Sequence, residues 1–284
     1  MKQQIKKWAL GNSNALLITG TGRNGTTYVA RALKAMNPNL TVGHEIEPNG
    51  LGVQNLSHAD QENRFIQGRG TIAIKSLMRG ERKHALIESN CYLAPTIPAY
   101  SKVWNQCKVI GIIRDWKSCI TSMASQSFPG QPHFFYDERD PQANRRPDPI
   151  ILGLQKADLW EKYDRIEKIA WYWSYVNDKL LEAAEASPRS TMLLDFKELK
   201  SNPQQFLDSI QEFNGLPSRS IRTDQIKKST SQEMNQVRIS LDDLAPHLYE
   251  SVQKITSNTA LKIQQHFTKV GQKETTQAPK GFID

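Results

Sequence analysis

Short apolar runs alternate along the chain with longer stretches of helical period, and this alternation predicts a parallel β-sheet wrapped by helices. The runs that read as strands cover residues 15–19, 40–43, 71–75, 108–113 and 191–194. Helical spacing of apolar residues covers 26–36, 118–125, much of 158–186, and 203–213. Ser187 and Pro188 stop the third of these helices, and Gly215 caps the fourth. Two stretches break the pattern. Residues 127–149, rich in proline and aromatics, read as a functional lid or a disordered insertion, and 271–284 as a frayed polar tail. No linker-like composition divides the rest, so 1–270 are expected to form one α/β domain.

The strand at 15–19 runs into GTGRNGTT, residues 20–27. Gly20, Gly22 and Gly25 let the backbone turn its N–H groups inward, and Thr26 and Thr27 open the next helix, so a phosphate fits on that helix N-terminus. The spacing is that of a P-loop, but Thr26 stands where an NTPase carries its lysine. Arg23 supplies the cation from inside the loop instead, which argues against ATP or GTP hydrolysis. A glycine turn without a ligand is the alternative. A second strand-to-helix segment, KVIGIIRDWKSCITSM (108–123), places Arg114 at the strand's carboxyl end, where open α/β sheets bind ligands. Ser122 follows about two helical turns later. Taken alone, this segment reads equally well as an Arg-Asp surface pair and a solvated serine.

Charge narrows the ligand. The 284 residues carry 37 basic and 29 acidic side chains, a net charge of +8, which draws anions in. The basic residues are scattered and no nucleic-acid-binding motif occurs, so a small phosphorylated ligand is expected rather than nucleic acid. No apolar run is long enough to cross a bilayer, and the first 14 residues lack the apolar core of a secretory signal. The expectation is a cytoplasmic protein with no membrane partner. Cys91, Cys107 and Cys119 have no metal-ligand spacing and are expected to be reduced, buried thiols.

Together, GTGRNGTT and the later strand-Arg-Asp segment with its serine resemble the sulfotransferase family that uses 3′-phosphoadenosine 5′-phosphosulfate (PAPS). The resemblance implies a P-loop-type parallel sheet with helices on both faces, a three-layer sandwich. It implies that Gly22, Arg23, Asn24, Gly25, Thr26 and Thr27 hold the 5′-phosphosulfate, and that Arg114 and Ser122 hold the 3′-phosphate. Trp116 departs from the proline of many members. Lys75, in TIAIKSL, is similar to the lysine that members place near the donor's bridging oxygen at the end of the central strand. AWYWSYVN (170–177) and LLDFKELKSNPQQFLDSIQEFNGLP (193–217) look like the family's long helix and its strand-loop-helix. QIKKSTSQEMNQV (225–237) is similar to the late loop that closes over the cofactor in the tyrosylprotein branch, which adds Lys228, Ser229 and Thr230, with Lys227 beside them.

Sulfuryl transfer to a hydroxyl or amine needs a proton acceptor within reach of the nucleophile. In TVGHEIEPNG (41–50), Gly-His-Glu resembles the Gly-x-Glu of members that use glutamate, which implies Glu45 as the base. His44 is the runner-up, since its ordinary pKa lies nearer neutrality, and Glu47 is third. Arg23, Lys75 and the N–H groups of residues 22–27 are expected to stabilise the charge that builds on the bridging and equatorial oxygens. Adenosine 3′,5′-bisphosphate (PAP) is then the product. A sulfuryl group carries less negative charge than a phosphoryl group, so no metal is required. The acceptor is expected to be a small molecule, a saccharide or a peptide. His133, Phe134, Phe135 and Tyr136 in the long loop are candidates to cover it, or an exposed insertion. Trp160, Trp171, Tyr172, Trp173 and Tyr175 read as core at helical spacing. A P-loop nucleotide or small-molecule kinase and a catalytically silent nucleotide-binding module stand as alternatives.

Overall fold

The computed structural model describes residues 1–46, 52–126, 135–137, 140, 143–220 and 239–276. Five strands, β1 (Asn14–Gly20), β2 (Val42–His44), β3 (Leu86–Ser89), β4 (Gln106–Ile113) and β5 (Thr191–Asp195), pair in the order β2-β3-β1-β4-β5. Every pairing is parallel. β1 lies at the centre and is buried from Ala15 to Gly20, which is why it reads as an unbroken apolar run.

Alternate residues of β1 enter two different cores. Ala15 and Leu17 pack with residues of α1 (Lys2–Leu10), α3 (His58–Met78), α4 (Ile97–Val103), α5 (Trp116–Ala124) and α7 (Arg165–Ala186). Leu16 and Ile18 pack with α2 (Thr26–Met36), α8 (Phe196–Ser201) and α9 (Pro203–Asn214). With α6 (Ala157–Lys162) before α7 and α10 (Pro246–Thr276) against α7, this is the three-layer α/β sandwich that the resemblance implies.

The structure corrects several expected elements. Residues 71–75 are not a strand but the end of α3, whose buried Phe65, Ile66, Arg69, Gly70, Ala73 and Ser76 recur at helical spacing. The β-branched string TIAI suggests a strand only in a short window; over the whole helix the 3.6 period prevails. The missing strand is β3, a four-residue run containing a buried glutamate. Glu88 is tolerated there because Arg69, Tyr100 and Asn90 all donate to it. The helix expected over 158–186 is two helices, because Asp164 caps α7: its carboxylate accepts from Ile166 N at 2.7 Å, while its own N–H donates to Glu167 at 2.7 Å. The supposed tail is helical as far as Thr276, the last turn of α10. Of the long loop, Phe135 is buried and Tyr136 packs edge-on to Tyr172 and Trp160, while Arg146 pairs with Asp140 in a buried ion pair. That part is therefore anchored in the core and is not an exposed insertion; His133 and Phe134 lie outside the described residues.

Candidate active site

β1 delivers the P-loop to the carboxyl edge of the sheet. Gly22 and Gly25 take φ of 79° and 84°, the left-handed region that glycine enters without strain, and Arg23 between them is held at 55°. A Cβ on Gly25 would lie 2.5 Å from Leu199, so the loop also needs the small residue for space. Gly25 is the N-cap of α2 and no side chain caps it, which leaves the first N–H groups of that helix facing the loop's concave side. Asn24 is fully buried and donates its amide to the Ile112 carbonyl at 2.8 Å. Its side chain pins the loop to β4; only its backbone is left for a ligand.

The two anion-binding segments read from the sequence meet here. Arg23 Nε donates to Ser122 Oγ at 3.2 Å, and Arg114 Nη1 donates to the Arg23 carbonyl at 2.7 Å. Arg114 Nε also donates to Ser118 Oγ at 2.9 Å, its guanidinium lies 4.9 Å over the Phe196 ring, and its carbonyl accepts from the Trp173 indole at 3.0 Å. Among the described residues, neither Arg23 nor Arg114 is paired with a carboxylate. Burial, and then the like charge of Arg114, lower the Arg23 pKa. Two adjacent guanidiniums that meet only hydroxyls, carbonyls and a ring face among the described residues keep their charge available to an anion.

Arg23 stands between two pockets. One, about 250 Å³, is lined by Gly22, Arg23, Thr26 and Thr27 of the loop, by His44 and Glu45, and by Cys91, Tyr92, Phe135, Arg146 and Tyr172. The other, about 460 Å³, is lined by Arg114, Lys117, Ser118, Thr121, Ser122, Ser125 and Lys200, and by Ser240, Leu241 and one acid, Asp242.

His44 and Glu45 follow β2 and are oriented by a single carbonyl. Ser89 O accepts from Glu45 N at 2.9 Å and from His44 Nδ1 at 3.0 Å. With its proton on Nδ1, His44 leaves Nε2 as acceptor for the Thr27 hydroxyl at 3.0 Å, so both ring nitrogens are engaged. Glu45 is different. Its φ is 48°, a left-handed conformation unusual for this residue, and among the described residues its carboxylate is held by long contacts: Cys91 Sγ at 3.6 Å, His44 Nε2 at 3.6 Å and Arg145 Nη1 at 3.7 Å. Strain of this kind concentrates at functional sites. The Cys91 thiol is pushed far above its ordinary pKa by burial and by the neighbouring Glu45, so it faces the carboxylate as a proton donor and not as a thiolate.

Lys75 is a correction. It lies in the last turn of α3, exposed, and lines neither pocket, because the segment expected to be a strand is helical. Glu47, Lys227, Lys228, Ser229 and Thr230 lie outside the described residues. Sequence reading missed Cys91 and Tyr92, which enter through the unrecognised β3, and Arg146, Lys117 and Lys200. For Arg146 the basic pair inside the proline-rich loop was the available signal; for Lys200, the position just after β5. Tyr172 was read as core, and it does pack there, but its buried ring also walls the smaller pocket.

A parallel sheet with a glycine loop, a helix N-terminus without a side-chain cap and adjacent arginines at its carboxyl edge defines a P-loop-type α/β fold. Residues 14–277 match the family model of the sulfotransferase domain, and the chain belongs to that family. Among solved structures it is similar to a sulfotransferase from Alicyclobacillus acidocaldarius, with a TM-score of 0.52 and 15% identity over 88% of this chain and 94% of that one. A mouse sulfotransferase complexed with PAP is also similar, with a TM-score of 0.49 and 14% identity over 91% of this chain and 90% of that one. No curated protein matches the chain.

Proposed function

We propose that this protein moves a sulfuryl group from PAPS to a hydroxyl or amine of a small-molecule, saccharide or peptide acceptor. The observation that supports the reading is the Ser122–Arg23–Arg114 unit, which joins the P-loop to the second proposed anion-binding segment and has no carboxylate partner among the described residues. The donor spans the two pockets: its phosphosulfate lies on the α2 N-terminus beside Arg23, and its 3′-phosphate lies by Arg114 and Ser122, with Lys200 lining the same pocket.

The acceptor enters the smaller pocket, where the rings of Tyr92, Phe135 and Tyr172 offer flat apolar walls to a ring-sized group. Its oxygen or nitrogen attacks sulfur in line, the new bond forms as the bond to the 5′-phosphate oxygen breaks, and PAP departs with that electron pair. Glu45 takes the acceptor's proton. Arg23 and the loop N–H groups meet the charge on the leaving oxygen, and the exposed Lys75 takes no part. The test is transfer of labelled sulfate from PAPS to fractionated saccharides, peptides and small molecules in the presence of a chelator. Labelled product sustains the reading; hydrolysis of Mg-ATP with no sulfate transfer to any fraction overturns it.

A further inference from the structure

α1 uses one of its faces inside the fold and leaves the other to solvent. Gln3, Lys6 and Leu10 share the inward side. Leu10 is fully buried, Lys6 donates Nζ to the Gln67 carbonyl of α3 at 2.9 Å with its stem against Gly70, and Gln3 donates Nε2 to Asn63 at 3.3 Å. Met1, Ile5 and Trp8 recur at spacings of four and three residues, so they form a stripe on the opposite side, and they are 95, 47 and 61% exposed. Apolar residues scattered singly over a surface need no explanation. A methionine, an isoleucine and a tryptophan aligned on a helix whose inward face is already packed do.

Charge says what covers the stripe. Lys2 and Lys7 flank it, one on each side, and both are exposed. No aspartate or glutamate occurs before Glu45, and the α3 residues that meet Gln3 and Lys6 are uncharged. Of the acids in the first turns of α3, Asp60 accepts from the Ser57 hydroxyl at 2.6 Å and Glu62 pairs with Lys102 at 2.7 Å. A second copy docked here through the same face would set lysines against lysines. An anionic lipid surface is the complement: its phosphates take the lysines, and the boundary between headgroups and acyl chains takes an indole and an aliphatic side chain. Among the described residues no helix is long and apolar enough to cross a membrane, but a short helix with this division of faces lies on one.

We propose that the outward face of α1 is a docking surface for an anionic lipid membrane, with Ile5 and Trp8 in the headgroup layer and Lys2 and Lys7 on the lipid phosphates. The inference concerns none of the residues proposed for sulfuryl transfer and stands apart from it.

The test is cosedimentation of the full chain with vesicles of phosphatidylcholine alone and with vesicles of equal parts phosphatidylserine and phosphatidylcholine. The mixed vesicles should bind at least about tenfold more tightly, and added salt should weaken them. Trp8→Gln and Ile5→Gln should each weaken that binding about tenfold, and Lys2→Gln with Lys7→Gln about thirtyfold. All these side chains point to solvent, so each variant should melt as the wild type does. Trp8→Phe should still bind, and the blue shift of tryptophan emission that vesicles cause in the wild type should be lost in it. The inference is overturned if the mixed vesicles bind no better than phosphatidylcholine, or if Trp8→Gln and Ile5→Gln bind them as the wild type does, which would leave only the general attraction of a basic protein. It is overturned equally if sedimentation equilibrium shows a dimer that Trp8→Gln dissociates, since the face would then belong to a second copy.

Discussion

At the scale of single residues, the choice between the two candidate bases turns on which side chain has a free acceptor. His44 gives its Nδ1 proton to Ser89 and its Nε2 lone pair to Thr27, whereas the carboxylate of Glu45 meets its described neighbours at 3.6–3.7 Å and lines the pocket proposed for the acceptor. Glu45→Gln is therefore expected to bind PAP nearly as wild type while losing turnover by about a hundred- to ten-thousand-fold, the effect of a missing general base. His44→Ala should be milder, since the imidazole shapes the loop. An assay in which Glu45→Gln stays active and His44→Ala is dead would reverse the assignment. The cysteines make a different prediction. Burial raises the Cys107 thiol to about 12 and the Cys119 thiol to about 11, and holds Cys91 higher still, so all three remain protonated at neutral pH. Native protein at pH 8 should resist iodoacetamide at the buried Cys91 and Cys119 and react at both once denatured, whereas Cys107 is only half-buried; rapid labelling of the native Cys91 would contradict this account of the pocket.

At the scale of elements, the P-loop depends on one glycine more than on its ligand-facing side chains. Gly25 combines a φ of 84° with a Cβ direction that runs into Leu199, and the strain falls on the N-cap of α2. Gly25→Ala should cost about 1–3 kcal/mol from the backbone alone, lower the melting temperature and abolish PAP binding. A variant with wild-type melting and affinity would mean that the loop is laxer than its dihedrals indicate. The same elements show what the sequence made legible. β1, β4 and β5 are buried parallel strands whose apolar runs are unambiguous, and α2 carries both a clear period and a glycine start. β3 escaped notice because its role demands a polar residue, Glu88, and because its four residues give no period to count. Missing it placed Lys75 on a strand that does not exist, and hid Cys91 and Tyr92, which follow it into the pocket. Pairing between distant segments was the absent information: only the contact of Glu88 with Arg69 and Tyr100 reveals why an acid is buried there.

At the scale of the whole molecule, the candidate site is assembled from pieces spread from Thr21 to Asp242, and the strands deliver the loop, His44, Cys91, Arg114 and Lys200 to one edge because they run the same way. No aspartate or glutamate precedes Glu45 in the chain, so the first 44 residues, which build the P-loop, contribute only positive charge to an overall +8. That field, and the paired guanidiniums inside it, are what the account rests on. The most direct measurement is calorimetric titration with PAP and with AMP, without magnesium, of the wild type and Arg114→Ala. Charge-assisted contacts to a 3′-phosphate should make PAP bind about ten- to a hundredfold more tightly than AMP, and the gap should close in the variant. If the wild type binds PAP and AMP equally, or if Arg114→Ala leaves the preference intact, Arg114 does not hold a 3′-phosphate and the central claim is wrong.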